Sequence, residues 1–510
     1  MCEKNSLTII VRAGLAGMLV LLAGLAACSS AQPVLAPGET PNSTIPGPVA
    51  PLETAPPDVT VTQPAATAPD PLPTAAAPVQ PAPPAAPVVG IEMHRIDAAG
   101  GLELVQQAGT YWVRRNALLW SSIEPEKGQR NWEAVAGLES ELQNAASQGL
   151  QVILIVRSTP AWAQQIPGVL CGPVRQDQLE AFAGFLHDVV ARYSQPPYNV
   201  KYWELGNEPD IDPALVTPEN IFGCWGDLDD PYYGGGDYAE MLQAVYPQIK
   251  AADPQAQVVV GGLLMDCDPV NPPLTAAGAP MYCDPSLFLE GILKNGGGAY
   301  FDVVSYHAYD FYGGSLGVYG VSNWRSSSAT TGPVLIAKAR YLKSLLAAYG
   351  VPEKRLMNTE NAILCAGKEE TCQAEDFVLT KAYYLAQANI SALAEGLQAN
   401  VWYSITGWRY SELVTRDLQP LPVYNALQFN ARQLDGTAYV GDINQFAGVK
   451  GYALDQAGKR IWFLWSLDGD AHPIQLDALP AGIYDVFGAA LPLEQQLNIT
   501  PAPVYIEWEP

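Results

Sequence analysis

Residues 201–210 read KYWELGNEPD. Tyr202 and Trp203 suit a buried strand, and Gly206, Asn207, Glu208 and Pro209 crowd together where such a strand must stop. Pro209 lacks a backbone donor and disfavours helix at Glu208, so the chain turns out of the sheet with a carboxylate at the strand's C-terminal end. In a parallel α/β barrel, that edge carries the chemistry.

Working outward, strand-like apolar runs recur eight times, at 89–96, 111–116, 151–157, 200–205, 257–263, 301–309, 355–359 and 400–406. Helical periodicity lies between them. Leu179, Phe182, Leu186, Val189, Val190 and Tyr193 recur at helical spacing, and 238–251 and 377–397 behave alike. Eight alternating βα units with mainly apolar strands predict an α/β fold closed into a (β/α)8 TIM barrel over 88–435. An open doubly wound sheet is the alternative, but no glycine-rich phosphate turn follows an early strand. Beyond Arg432 the pattern changes to short alternating strands at 459–467, 483–487 and 504–508, which predicts a small antiparallel β-sandwich over 436–510.

The amino terminus sets the compartment. Lys4 and Arg12 flank a short apolar run that ends Leu25-Ala26-Ala27-Cys28. Too short and alanine-rich for a membrane span, it resembles a bacterial lipoprotein signal over 1–28, with Cys28 lipidated after cleavage. Residues 29–87 are dominated by proline, alanine and threonine and cannot bury a core, which predicts an extended tether holding an exported domain away from the membrane. With 27 basic against 52 acidic residues and a net charge of −25, the chain is unsuited to nucleic acid and better matched to a neutral partner. Cys171, Cys224, Cys267, Cys283, Cys365 and Cys372 are an even set in an exported chain and read as disulfides. Sequence neighbours pair Cys267 with Cys283 and Cys365 with Cys372, leaving Cys171 for Cys224 by elimination. Their spacing matches no zinc pattern, and no metal is expected.

Three strand ends are unusually polar. The fourth ends in Asn207 and Glu208. On the sixth, alternation puts His307 and Tyr309 on one face; on the seventh it does the same for Asn358 and Glu360. Two glutamates therefore reach one rim from roughly opposite positions. Such a pair suits glycoside hydrolysis, in which one carboxyl donates a proton and the other acts as nucleophile or base.

With these residues in hand, the sequence resembles the clan A glycoside hydrolases, retaining enzymes on (β/α)8 barrels. Asn207-Glu208-Pro209 matches their acid/base motif and Thr359-Glu360-Asn361 resembles their nucleophile segment, with Asn361 where many relatives carry glycine. The segment from Trp120 to Gly128, with Asn131-Trp132, resembles the region after strand two in β-xylosidase-like and β-galactosidase-like branches. The resemblance implies Glu208 as acid/base, Glu360 as nucleophile, Asn207 on a sugar 2-hydroxyl and Tyr309 donating to Glu360. An arginine from strand two would hold Glu360 charged, and spacing to Trp120 favours Arg115 over Arg114. An arginine there could instead neutralise Glu204, which lies on Glu208's side of the strand. His307, Trp408, His94 and Trp120 are further candidates for sugar contact, and Trp408 is the candidate stacking platform. No cofactor is implied. The alternatives are a catalytically silent carbohydrate-binding lipoprotein and a transglycosidase on the same scaffold.

Overall fold

Each of the eight apolar runs becomes a strand, and each is followed by a helix. The computed structural model describes residues 87–217, 219–220 and 222–509; Cys28 and the tether up to residue 86 lie outside them. The units are β1 (Val89–Glu92) and α1 (Leu102–Gln107), β2 (Trp112–Leu119) and α2 (Ala136–Ser147), β3 (Gln151–Arg157) and α3 (Leu179–Tyr193), β4 (Tyr202–Asn207) and α4 (Gly235–Ala252). They continue as β5 (Gln257–Leu263) and α5 (Phe288–Lys294), β6 (Val303–Tyr312) and α6 (Leu335–Ala348), β7 (Arg355–Leu364) and α7 (Glu375–Ala394), β8 (Ala399–Trp402) and α8 (Pro422–Leu434). Strand order is β5-β4-β3-β2-β1-β8-β7-β6, and β5 also pairs with β6, so the parallel sheet closes on itself. Among the described helices, none is long and apolar enough to cross a membrane.

Strand boundaries depart from expectation where the rim is built. β6 and β7 run past the expected stops at 309 and 359 because their pairing continues above the barrel mouth, from Ala308 with Asn361 to Phe311 with Leu364. β1 and β8 stop earlier than expected, at Glu92 and Trp402.

Trp112, Ile153, Val259, Val303, Met357, Ala399 and Val401 plug the N-terminal half of the barrel interior. They come from alternating inward positions, as a filled barrel requires. Each large apolar side chain buried this way contributes about 1.5–3 kcal/mol.

The C-terminal region adds β9 (Thr437–Asp442), β10 (Val449–Gln456), β11 (Lys459–Ser466), β12 (His472–Gln475), β13 (Gly482–Tyr484), β14 (Gln496–Ile499) and β15 (Val504–Trp508). They form an antiparallel sheet of order β9-β10-β11-β15-β13 and a β12-β14 pair. Ile474 and Ile499 of the pair share one core with Leu464, Ile483 and Ile506 of the larger sheet, which makes the arrangement a sandwich. The other face of the large sheet, with Tyr452, Phe463 and Tyr505, packs into the main barrel core. α7 lies between barrel and sandwich and is buried nearly all round, so the periodicity expected at 377–397 does not resolve into one apolar face.

The disulfides pair as the sequence suggests: Cys171–Cys224, Cys267–Cys283 and Cys365–Cys372, with Cα separations of 5.1, 5.3 and 5.6 Å. The first joins the loops after β3 and β4; the others close the loops after β5 and β7. All three therefore brace the C-terminal edge of the barrel, where the polar strand ends converge.

Candidate active site

Above the apolar plug, the barrel interior turns charged around one guanidinium. Arg114 is fully buried and spends all five N–H donors on four acceptor side chains. Nε and Nη2 reach Glu204 at 2.8 and 3.1 Å, Nη1 reaches Glu92 at 2.6 Å and Glu360 at 2.5 Å, and Nη2 also reaches Asn207 Oδ1 at 2.6 Å. Glu204 Oε1 also accepts from Gly262 N, Ser305 Oγ and Thr359 Oγ1. The arginine therefore both neutralises Glu204 and holds Glu360. Burial pulls the Arg114 pKa down, but Glu204, Glu92 and Glu360 outweigh it and keep the group charged.

This corrects the choice of Arg115. Strand alternation, counted from the inward-facing Trp112, turns Arg114 inward and Arg115 toward the helices, where it pairs with Glu141 of α2 at 2.6 and 3.0 Å. Motif spacing to Trp120 was the weaker signal; the side-chain period of the strand carried the answer.

The strand ends deliver their carboxylates by breaking alternation. At the end of β4, Gly206 (φ 86°) and Glu208 (φ 53°) adopt left-handed backbone. Asn207 and Glu208 both turn into the mouth as a result. A Cβ on the neighbouring Gly223 would lie 2.6 Å from Gly206 Cα, so the two glycines permit this close approach. The segment is then clamped. Gly223 N donates to Asn207 O, Glu208 N to Gly262 O, and Asp210 accepts from Leu264 N and Met265 N at the end of β5.

On β7 the register shifts, so that Tyr306 of β6 faces Asn358 while His307 faces Glu360. Thr359 and Glu360 both point inward, Thr359 to Glu204 and Glu360 to Arg114. Asn358 and Glu360 therefore do not share a face as simple alternation predicts. Asn358 points outward to Asn400, and the β-bulge turns Glu360 into the mouth.

His307 is fully buried between the two carboxyls, with Nδ1 2.9 Å from Glu208 Oε1 and 3.5 Å from Glu360 Oε2. Tyr309 donates its hydroxyl to Glu360 Oε2 at 2.5 Å. An oxygen of Glu208, a ring nitrogen of His307 and an oxygen of Glu360 all lie within 4.8 Å of one another. Burial raises Glu208 to about 7 against the opposing pull of Arg114 and Lys338. Burial is the largest cause of the shift. Glu360 is also raised by burial, but His307 and Arg114 oppose the shift, and two strong donors favour its carboxylate. A proton shared by this pair therefore sits on Glu208. Burial lowers His307 to about 4, leaving the ring neutral. Its Nε2 has no partner among the described residues and lies where a Cβ on Gly262 would be 2.1 Å away. A bare lone pair costs less there than an unpaired N–H, so the proton belongs on Nδ1, facing Glu208.

Among the described residues, Glu208, His307 and Glu360 are the group whose ligand atoms converge. They suit a proton site better than a cation site, because Arg114 already brings a positive charge to Glu360 and Tyr309 occupies its other oxygen.

The remaining candidates divide. Trp408 is half-buried beside Tyr309, with ring centroids 6.1 Å apart and Arg409 4.6 Å over its ring. His94 stands exposed at the rim near Tyr403 and Ser404. Trp120 is not in the mouth. It is buried between Phe182, Phe185 and Trp162, its Nε1 donating to Glu124, because the short helix it begins faces α3. Tyr403, edge-on to both Tyr309 and His94, was missed, as were Glu92 and Lys338. Lys338 of α6 donates to the carbonyls of Leu264 and His307 at 2.7 and 2.8 Å, tying the end of β5 to the middle of β6. A lysine in a helical pattern gives no sign that it points inward.

The buried carboxyls predict a pH trend in stability. Burial raises Glu208, Asp210 and Asp310 to about 7 and Asp266 to about 6, above their ordinary values. A raised carboxyl contributes fully below its unfolded pKa, and that contribution is lost as pH rises through the folded pKa. His307 works oppositely between about 4 and 6.5, and His94, also lowered by burial, acts in the same direction, so two groups stand against these four. The thermal midpoint is expected to fall by about 5 °C between pH 5.5 and 7.5 in calorimetry. A rising midpoint over that interval would show these carboxyls to be ionised in the fold.

No protein-family model matches the chain, and no curated protein matches it either. Solved structures do. A family 39 glycoside hydrolase from Bacteroides cellulosilyticus WH2 aligns with TM-score 0.62 at 19% identity, over 83% of this chain and 81% of that one. A GH30 endoxylanase from Clostridium papyrosolvens C71 aligns with TM-score 0.55 at 13% identity, over 84% and 97%. A monomeric β-xylosidase from Caulobacter crescentus CB15 aligns with TM-score 0.52 at 15% identity, over 83% and 96%. The protein thus shares its fold with glycoside hydrolases of families 39 and 30.

Proposed function

We propose that the protein is a retaining glycoside hydrolase, with Glu208 as acid/base and Glu360 as nucleophile. The observation that carries this reading is the convergence of two carboxyls from β4 and β7 on one histidine, with an oxygen of each within 4.8 Å of the other. Retaining pairs stand about 5–5.5 Å apart, whereas inverting pairs leave about 6.5–9.5 Å for a water. The different settings of the two groups support the division of labour: a raised, singly bonded Glu208 to donate a proton, and a Glu360 held by Arg114 and Tyr309 to attack. Asn207, its oxygen committed to Arg114, has its amide nitrogen left for a sugar hydroxyl. Trp408 offers an aromatic surface beside the nucleophile's tyrosine. A purely binding protein would need no such difference between its carboxyls.

Several fold relatives are described as xylanases or β-xylosidases, so pentosides belong first in a substrate panel. Aryl glycosides should be cleaved with the first-formed sugar keeping its anomeric configuration by proton NMR. An inverted product sinks the retaining mechanism, and silence on every glycoside sinks the enzyme reading. The disulfides and the leader ending at Cys28 support an exported, lipid-anchored protein. Labelling by a fatty-acid analogue should vanish in Cys28→Ala, and persistence would remove the anchor.

A further inference from the structure

Four buried asparagines and a tyrosine form a continuous chain from the bulge at Glu360 to the C-terminal sandwich. Asn358 of β7 meets Asn400 of β8 at 2.8 Å, and Asn400 meets Asn389 of α7 at 2.8 Å. Asn389 meets Asn430 of α8 at 2.9 Å, and Asn430 meets the hydroxyl of Tyr505 on β15 at 2.9 Å. All five side chains are buried, none more than 4% exposed. The direction of the chain is set at its ends, because an amide can exchange its oxygen and nitrogen by a half turn. Beside Asn358 stand the carbonyl oxygens of Tyr306 and Glu360, which only accept. Its nitrogen therefore faces them, at 3.0 and 2.9 Å, and its oxygen faces Asn400. Each amide beyond it turns over in sequence, and the Tyr505 hydroxyl, free to rotate, supplies the first proton. So arranged, every link pairs one donor with one acceptor.

We propose that Asn358 is a positioning residue for Glu360, and that the C-terminal sandwich, acting through Tyr505, is part of the support of the active site. This rests on the reading of Glu360 as nucleophile. Asn358 holds the carbonyl of Glu360 against that of Tyr306 across the register shift that turns Glu360 inward. Apolar side chains would fill the same volume without fixing that geometry, whereas amides in series tolerate one arrangement. Removing the terminal hydroxyl leaves either the Asn430 oxygen without a donor or, if the amides turn back, the Asn358 oxygen facing two carbonyls. In either case the strain spans both ends of the chain.

The test compares Tyr505→Phe with Tyr452→Phe in the full chain. Tyr452, on β10, touches Ser391 of α7 at 3.4 Å, off the amide chain. Both variants lose a buried hydroxyl between sandwich and barrel. Tyr505→Phe is expected to speed hydrogen exchange in the peptide Arg355–Leu364 by about tenfold and to lower kcat by about five- to tenfold with KM within about twofold. Tyr452→Phe should loosen the sandwich and change neither. Asn358→Ala should show the same signature, and the double variant Asn358→Ala/Tyr505→Phe should be no slower than Asn358→Ala alone. Equal behaviour of the two tyrosine variants, or unchanged exchange at β7 in Tyr505→Phe, overturns the proposal. If the wild type cleaves no glycoside, the enzyme reading falls, and the exchange comparison still decides whether the chain holds the bulge.

Discussion

Glu360→Ala is expected to abolish turnover of every glycoside, whereas Glu208→Ala should fail in a way that depends on the leaving group. The two carboxyls are placed for different tasks. Glu360, paired with Arg114 and receiving the Tyr309 hydroxyl, is the group held ready to form a bond to the anomeric carbon. No water or added nucleophile can take its place with the same stereochemistry. Glu208 donates a proton in the first step and activates water in the second. A leaving group that needs no proton bypasses the first role, and azide replaces water in the second. Loss on poor leaving groups should approach the ~10²- to 10⁴-fold scale of general acid/base catalysis. An activated aryl β-glycoside with azide should recover much of the rate and give the β-glycosyl azide. Because Glu208 is raised to about 7, wild-type turnover on poor leaving groups should decline above that pH. That limb should disappear in Glu208→Ala on an activated substrate. The opposite pattern, a β-glycosyl azide from Glu360→Ala and the inverted α-glycosyl azide from Glu208→Ala, would reverse the two assignments.

How much of this was legible follows from which signals are local. The carboxylate at the end of β4 could be read from Gly206-Asn207-Glu208-Pro209, because a glycine and a proline around a polar pair leave a strand few other courses. The barrel followed from eight apolar runs separated by amphipathic helices. The bulge on β7 could not be read. Leu356 to Glu360 has no glycine to mark a break in alternation, and the shift exists only because β6 and β8 pair across it. Trp120 misled for a related reason. An aromatic beside a polar loop looks available until α3 presents Phe182 and Phe185 to cover it. The linked asparagines lie 42, 11 and 41 residues apart in sequence, and nothing in their local sequence joins them. Long-range polar networks are specified by packing, and packing is what a linear pattern leaves out.

Arg114→Met is expected to cost about 3–5 kcal/mol of stability and to remove activity, while Arg115→Met should cost about 1 kcal/mol and leave the site working. Motif spacing ranks the two arginines the other way, so the comparison separates spacing from geometry. Arg114 stands between three buried carboxylates, Glu92, Glu204 and Glu360, and without it they face one another with no countercharge. The methionine fills much of the volume, so the loss measures charge more than cavity. Arg115 pairs with Glu141 outside the barrel, where the two side chains keep 14% and 13% of their surface in solvent and Glu141 still accepts from Ile96 N once the arginine is gone. A pH series distinguishes the cause further. Glu92 and Glu360 are both raised by burial, and without Arg114 they should protonate more readily still. The deficit of Arg114→Met, read as the shift in urea midpoint from wild type, should therefore shrink as pH falls from 7 toward 5. A deficit independent of pH would assign the loss to packing. A severe Arg115→Met with a mild Arg114→Met would overturn the arrangement of the charged layer itself.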